Sequence, residues 1–263
     1  MSRWDDERTW ADDHVRREVF FFEGAGCELH GSLYAATGVT DASQGLVACS
    51  SWGAEADRSD RLTHALALAM AELGGVGLVF HYPGYGDSRG DLASVTMEAL
   101  ADGAAAALAE AGSRQPAASW LLAGFSIGAS VACLAGARAG ADGLLMVQPA
   151  LRPGAYFREL ERVARRVTLG TGSSETFAFG YPLPRRILDS AAEEDEAVAR
   201  ALRGFDGTKT VVCHEAPDPT PELPADAELV TVPGTWSFGG KDHPELTQAA
   251  VRWLRQTTGA AAA

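Results

Sequence analysis

Short unbroken apolar runs alternate along the chain with longer segments whose apolar residues recur every three to four positions. Residues 19–22 and 28–34 read as an opening pair of strands, with Gly24-Ala25-Gly26 as the turn between them. Residues 45–50 form an apolar strand of the kind buried on both faces. Residues 61–73 then place Leu62, Ala65, Leu66, Ala69 and Leu73 at helical spacing. The cycle repeats with a strand at 76–80, an Ala-rich helix at 95–111, a strand at 120–123, an apolar helix at 127–138 and a strand at 143–147. Repeated strand–helix–strand units predict the α/β class. The expected form is a mostly parallel central sheet of about eight strands, flanked by helices and joined by right-handed crossovers.

The rhythm breaks at about residue 151. A helix is predicted at 157–167, a Gly/Ser/Thr-rich loop at 168–174 and an acidic helix at 193–202. An insert at this point would lie over the carboxyl ends of the strands as a lid, or would simply add structural helices. The expected organisation is therefore core at 1–150, insert at 151–207 and core again at 208–263. Strands are expected at 210–213 and 228–232, and a closing helix at 246–254 with Pro244 in its first turn. The Ala-rich end, 259–263, is expected to fray.

Composition narrows the partners. The formal charge of −13 argues against nucleic acid or an anionic membrane, since both call for a basic face. The first residues lack the apolar stretch of a signal peptide, and no run reaches the roughly 20 apolar residues of a membrane span. Cys27, Cys49, Cys133 and Cys213 are far apart within apolar runs, without metal or redox spacing, and read as buried reduced thiols. A cytoplasmic protein is the expectation. Neither a dinucleotide nor a phosphate-loop glycine pattern stands where it would be needed, and the six histidines are scattered along the chain. No cofactor and no metal is expected.

The candidate chemistry centres on Gly124-Phe125-Ser126-Ile127-Gly128. It falls where the strand at 120–123 gives way to the helix at 127–138. A sharp turn there strains the serine backbone, and flanking glycines let neighbouring chain pass close by. The hydroxyl would stand at a helix N-terminus, whose N–H groups can hold an oxyanion. With this motif, Phe80-His81-Tyr82-Pro83-Gly84-Tyr85-Gly86-Asp87-Ser88-Arg89-Gly90 resembles the α/β-hydrolase superfamily over nearly the whole chain. His81 stands where that loop usually has Asp and reads as a structural replacement. More narrowly, Gly53-Ala54-Glu55-Ala56-Asp57-Arg58-Ser59 and Phe179-Gly180-Tyr181-Pro182-Leu183 are similar to segments of exosortase A system-associated hydrolases, relatives of the serine aminopeptidase-like group. The resemblance implies Ser126 as nucleophile and the backbone N–H groups of Ile127 and Trp52 as the oxyanion hole.

A serine needs a base, and in this fold the chain order is serine, acid, histidine. By the same resemblance Asp218 fits the acid, with Glu215 as the alternative. Beyond Ser126 lie only His214 and His243. His243 follows the last predicted strand, but the usual slot for the histidine falls near Trp236-Ser237. His243 reaches the site if residues 238–241 fold back; the alternatives are that it simply starts the closing helix, or that the base is His214 or His81. The function expected is a serine hydrolase or acyltransferase acting on a small-molecule ester or thioester, free or carrier-bound. The alternative is a catalytically altered relative that cyclises or binds an acyl ligand without the usual histidine.

Overall fold

A computed structural model describes residues 9–11, 14–167, 176–216, 223, 225–235 and 243–261. The chain opens with three antiparallel strands, β1 (Thr9–Ala11), β2 (Val15–Gly24) and β3 (Cys27–Ala36). It then alternates: β4 (Ala42–Cys49), α1 (Ala54–Glu72), β5 (Val76–Phe80), α2 (Met97–Arg114), β6 (Ala117–Phe125), α3 (Ile127–Ala139) and β7 (Gly143–Val147). The segment that follows holds α4 (Pro153–Val167), a two-stranded hairpin of β8 (Phe177–Ala178) and β9 (Tyr181–Pro182), and α5 (Arg185–Arg203). The chain ends with β10 (Thr208–Ala216), β11 (Glu228–Thr235) and α6 (Pro244–Ala261).

Among the described residues the main sheet has nine strands, in the order β1-β2-β3-β5-β4-β6-β7-β10-β11. From β5 to β11 every neighbouring pair is parallel, which requires a crossover between each. β5 and β7 are buried at every position, as strands covered on both faces must be. The eight strands expected are all present; the ninth, β1, is a three-residue edge strand with too little pattern to read.

The helices divide between the faces. Leu62, Leu66 and Met70 of α1 pack with Leu246, Ala250 and Leu254 of α6 on one side. On the other, α2 and α3 share a core with Phe157 and Leu160 of α4 and Ile187, Val198 and Leu202 of α5. The strand order reverses at β4: the chain runs from β4 to β5 on one side and returns past it to β6 on the other. α1 leaves β4 on one face and α3 leaves β6 on the opposite face, so the loops after these adjacent strands part. A crevice at the carboxyl ends of the strands results, and open α/β sheets bind ligands in such a crevice.

Several helices begin earlier than their apolar spacing suggests. α1 starts at Ala54 rather than 61, α4 at Pro153 rather than 157, and α5 at Arg185 rather than 193. In α1 polar residues at the N-terminus obscure the period, and two of them, Glu55 and Ser59, are buried; α4 opens with Pro153-Gly154, which reads as a turn. The loop expected at 168–174 lies outside the described residues. Of the four cysteines, all free, Cys49, Cys133 and Cys213 are buried as expected. Cys27 is a correction, only partly buried, because it opens β3 beside the loop at Arg89. No helix among the described residues is long and apolar enough to cross a membrane.

Candidate active site

β6 ends at Phe125, and the chain turns at Ser126 with φ 51° and ψ −119° before entering α3. A side chain in this left-handed region costs about 1–2 kcal/mol, so its surroundings must hold it there. They do so through the backbone. The Ser126 N–H donates to the Val147 carbonyl at 3.0 Å, and its carbonyl accepts from Ala129 and Ala150 at 3.1 and 3.0 Å. The two flanking glycines are needed for close approach. A β-carbon on Gly124 would lie 2.2 Å from the Gly128 carbonyl oxygen, and one on Gly128 would lie 2.4 Å from those of Cys49 and Ser50. The first turn of α3 thus rests directly on the chain leaving β4. Ile127 is the first residue of α3, where an N–H has no acceptor within its own helix.

The loop after β4 is fastened from several directions. Tyr82 donates its phenol to the Ser50 carbonyl at 3.0 Å, and Tyr85 donates to that of Gly53 at 3.1 Å. The Ser51 N–H donates to Ser59 Oγ at 3.0 Å. Trp52 is buried and meets the Phe157 ring edge-on at 6.0 Å between centroids. Both tyrosines belong to the glycine-rich segment at 81–90, which His81 organises. Its Nδ1 accepts the Asp87 N–H at 3.0 Å, consistent with the structural part read from the sequence.

Glu55, a residue without an expected role, points into this site from the first turn of α1. Its Oε2 accepts from Ser51 Oγ at 2.8 Å and from the Tyr156 phenol at 2.9 Å, while Oε1 is buried with no partner among the described residues. Burial pushes the carboxyl above its ordinary range, against hydrogen bonding from the hydroxyls of Ser126, Ser51 and Tyr156. The signal available in the sequence was a glutamate two residues past Gly53, at the start of a helix beside the expected oxyanion loop.

Glu55 also lines a cavity of about 320 Å³ with Arg58, Ser59, Phe125, His243 and Leu246. His243 therefore faces the same cavity as Glu55. It precedes Pro244, the first residue of α6, so it does start the closing helix. Its Nδ1 lies 3.1 Å from Glu245 Oε1 and 3.2 Å from Nε2 of His214, which is buried at the end of β10. Histidines 29 positions apart thus meet, which their scatter along the chain concealed. Glu215, beside His214, is exposed. Asp218, Trp236-Ser237 and the loop at 238–241 lie outside the described residues.

Solved structures share this architecture. Est1E from Butyrivibrio proteoclasticus, with ferulic acid bound, superposes with a TM-score of 0.66 at 20% identity, over 90% of this chain and 98% of that one. An alpha-beta serine hydrolase homologue from Coxiella burnetii gives 0.60 at 18%, over 90% and 97%. The thioesterase domain from the curacin biosynthetic pathway gives 0.54 at 14%, over 92% and 99%. The chain has the α/β-hydrolase fold. Within the α/β-hydrolase fold, the turn after β6 and the loop after β4 flank the point of strand reversal. No family model matches the sequence, and neither does any curated relative.

Proposed function

We propose that the protein is a serine hydrolase or acyltransferase that acts on an ester or thioester through an acyl-enzyme on Ser126. The observation that carries this reading is the strained, positive-φ Ser126 at the N-terminus of α3, beside the crevice. Ser126 Oγ attacks the substrate carbonyl and gives its proton to His243. The oxyanion rests on the N–H groups of Ile127 and Trp52. The imidazolium then protonates the departing alcohol or thiol, and the acyl group stays on Ser126. Water, or another acceptor, attacks that acyl group while His243 takes its proton, and Ser126 is released.

The base assignment is supported by the carboxylate 3.1 Å from His243 Nδ1, which orients the ring and makes Nε2 the nitrogen that exchanges the reacting proton. Glu245 joins Asp218 as a candidate for the orienting acid. Est1E holding ferulic acid and a thioesterase among the structural neighbours suit an acyl substrate, free or carrier-bound, handled by a cytoplasmic enzyme. The 151–207 segment serves as the lid: Tyr156 reaches Glu55, and Tyr181 donates to Asp57 at 2.5 Å at the rim.

A second reading, a fold member that binds or cyclises an acyl ligand without a histidine base, draws on one observation. Among the described residues, the Ser126 hydroxyl hydrogen-bonds with the Glu55 carboxyl and the Tyr156 phenol, and neither is a histidine. Fluorophosphonate labelling with mass spectrometry, run beside turnover of activated acyl esters and thioesters, separates the two. The hydrolase reading expects an adduct on Ser126, loss of about 10⁴-fold or more in Ser126→Ala, and a large loss in His243→Ala. A wild-type protein that takes no label and leaves every activated ester intact would abolish that reading and favour the second.

A further inference from the structure

Three side-chain atoms converge at the junction of β10 and α6. His214 Nε2 and His243 Nδ1 lie 3.2 Å apart; Glu245 Oε1 lies 3.1 Å from the second and 3.5 Å from the first. Imidazole nitrogens and a carboxylate oxygen are the donors a divalent transition metal takes, and here all three lie within 3.5 Å of one another.

The spacing is that of a metal site. Zinc binds imidazole nitrogen and carboxylate oxygen at about 2.0–2.1 Å, and at a tetrahedral centre of that size the donor atoms stand about 3.3 Å apart. The three edges here bracket that value. Two histidines and a glutamate are a donor set that zinc accepts, with water or another ligand in the fourth position. The burial is graded in the same sense. His214 is 1% exposed, His243 15% and Glu245 41%, so the protein closes one side and leaves the other open. The backbone at His214 is held, since its main-chain N–H donates to Gln148 Oε1 at 3.2 Å and the Gln148 N–H donates to the Val212 carbonyl at 2.7 Å.

A second cluster, His30, His81 and Asp87, is less suited. There the two rings stack at 4.7 Å, and His81 Nδ1 already accepts the Asp87 N–H. We infer that His214, His243 and Glu245 form a binding site for one zinc ion or a similar divalent transition metal. Zinc on Nδ1 keeps the ring proton on Nε2, so a metal-loaded His243 is not the base of the proposed function, and the test reads metal binding directly without passing through turnover.

The full chain, stripped with a chelator, is titrated with Zn²⁺ against a chromophoric competitor, and then with Co²⁺ for its visible spectrum. One zinc per chain is expected, together with the intense visible bands of four-coordinate cobalt. Glu245→Gln, at an exposed position that leaves the fold intact, should weaken zinc at least tenfold and alter the cobalt bands. His214→Asn should abolish binding while far-UV circular dichroism is unchanged; should it unfold, Glu245→Gln alone decides. His30→Ala should bind as wild type does. Absence of stoichiometric zinc overturns the inference, as does affinity unchanged by Glu245→Gln or lost in His30→Ala.

Discussion

At the scale of single residues, the environment of Glu55 constrains its chemistry. Burial raises its carboxyl above the ordinary value of 4.5, so the folded chain keeps this proton at a pH where the unfolded chain has lost it. The stability from this group is fully present below pH 4.5 and drains away as pH rises through the raised value. Glu55→Gln holds the neutral form at every pH and keeps a carbonyl for Ser51 and Tyr156. Its denaturation midpoint should therefore gain on that of the wild type between pH 4 and pH 8, and a constant difference across that range would show that Glu55 does not hold a proton. Gly128 is constrained by space instead. Gly128→Ala sets a methyl 2.4 Å from two carbonyl oxygens, and by shifting the first turn of α3 it should cost about 3 kcal/mol or more in urea titration.

The elements follow from pattern more readily than the site does. β5 and β7 occupy the residues that their apolar runs predicted, and α3 begins at Ile127 as the turn motif required. Those segments were legible because one kind of burial acts on every position of the strand or first turn. Glu55 and Tyr156 were not, because a polar side chain that turns inward is indistinguishable in sequence from one that faces water. Their meeting depends on α4 lying across the start of α1, 101 positions away, and periodicity carries no information about such a pair. His214 and His243 were hidden likewise, at the ends of two elements that only the packed sheet brings together. The loop at 81–90 lies between these cases: its glycines were readable as a turn, but its use of tyrosines to hold the β4–α1 connection was not. Tyr82→Phe removes the hydroxyl bound to the buried Ser50 carbonyl and should cost about 1–3 kcal/mol. If the tie also sets the Trp52 N–H for the oxyanion, kcat for an activated ester should fall with KM little changed. A stability loss with kcat intact would confine Tyr82 to a structural part.

The whole molecule raises the question of whether the 151–207 segment is an appendage or a component of the folding unit. Among the described residues its buried apolar side chains do not form a core of their own. Phe157, Leu160, Ile187, Val198 and Leu202 are buried in the same cluster as Leu122 of β6, Val131 of α3 and Val211 of β10. Phe157 and Ile187 are fully buried, and Phe157 also supports the Trp52 ring. A lid that opened as a rigid body would expose these side chains at about 25 cal/mol per Å², several kcal/mol in all, against a total stability of about 5–15 kcal/mol. Any opening is therefore confined to parts with little burial, such as the β8–β9 hairpin, whose Phe179 stands exposed at its turn. Truncation of the inner residues should be felt throughout the fold. Phe157→Ala is expected to cost about 3–5 kcal/mol and Leu202→Ala about 2–5 kcal/mol. Both should lower the single midpoint seen by tryptophan fluorescence and by far-UV circular dichroism together, because the lost contacts belong to one cooperative core. Two separated transitions, with the sheet melting at the wild-type midpoint after the insert has unfolded, would instead establish the segment as a unit that folds apart from the core beneath it.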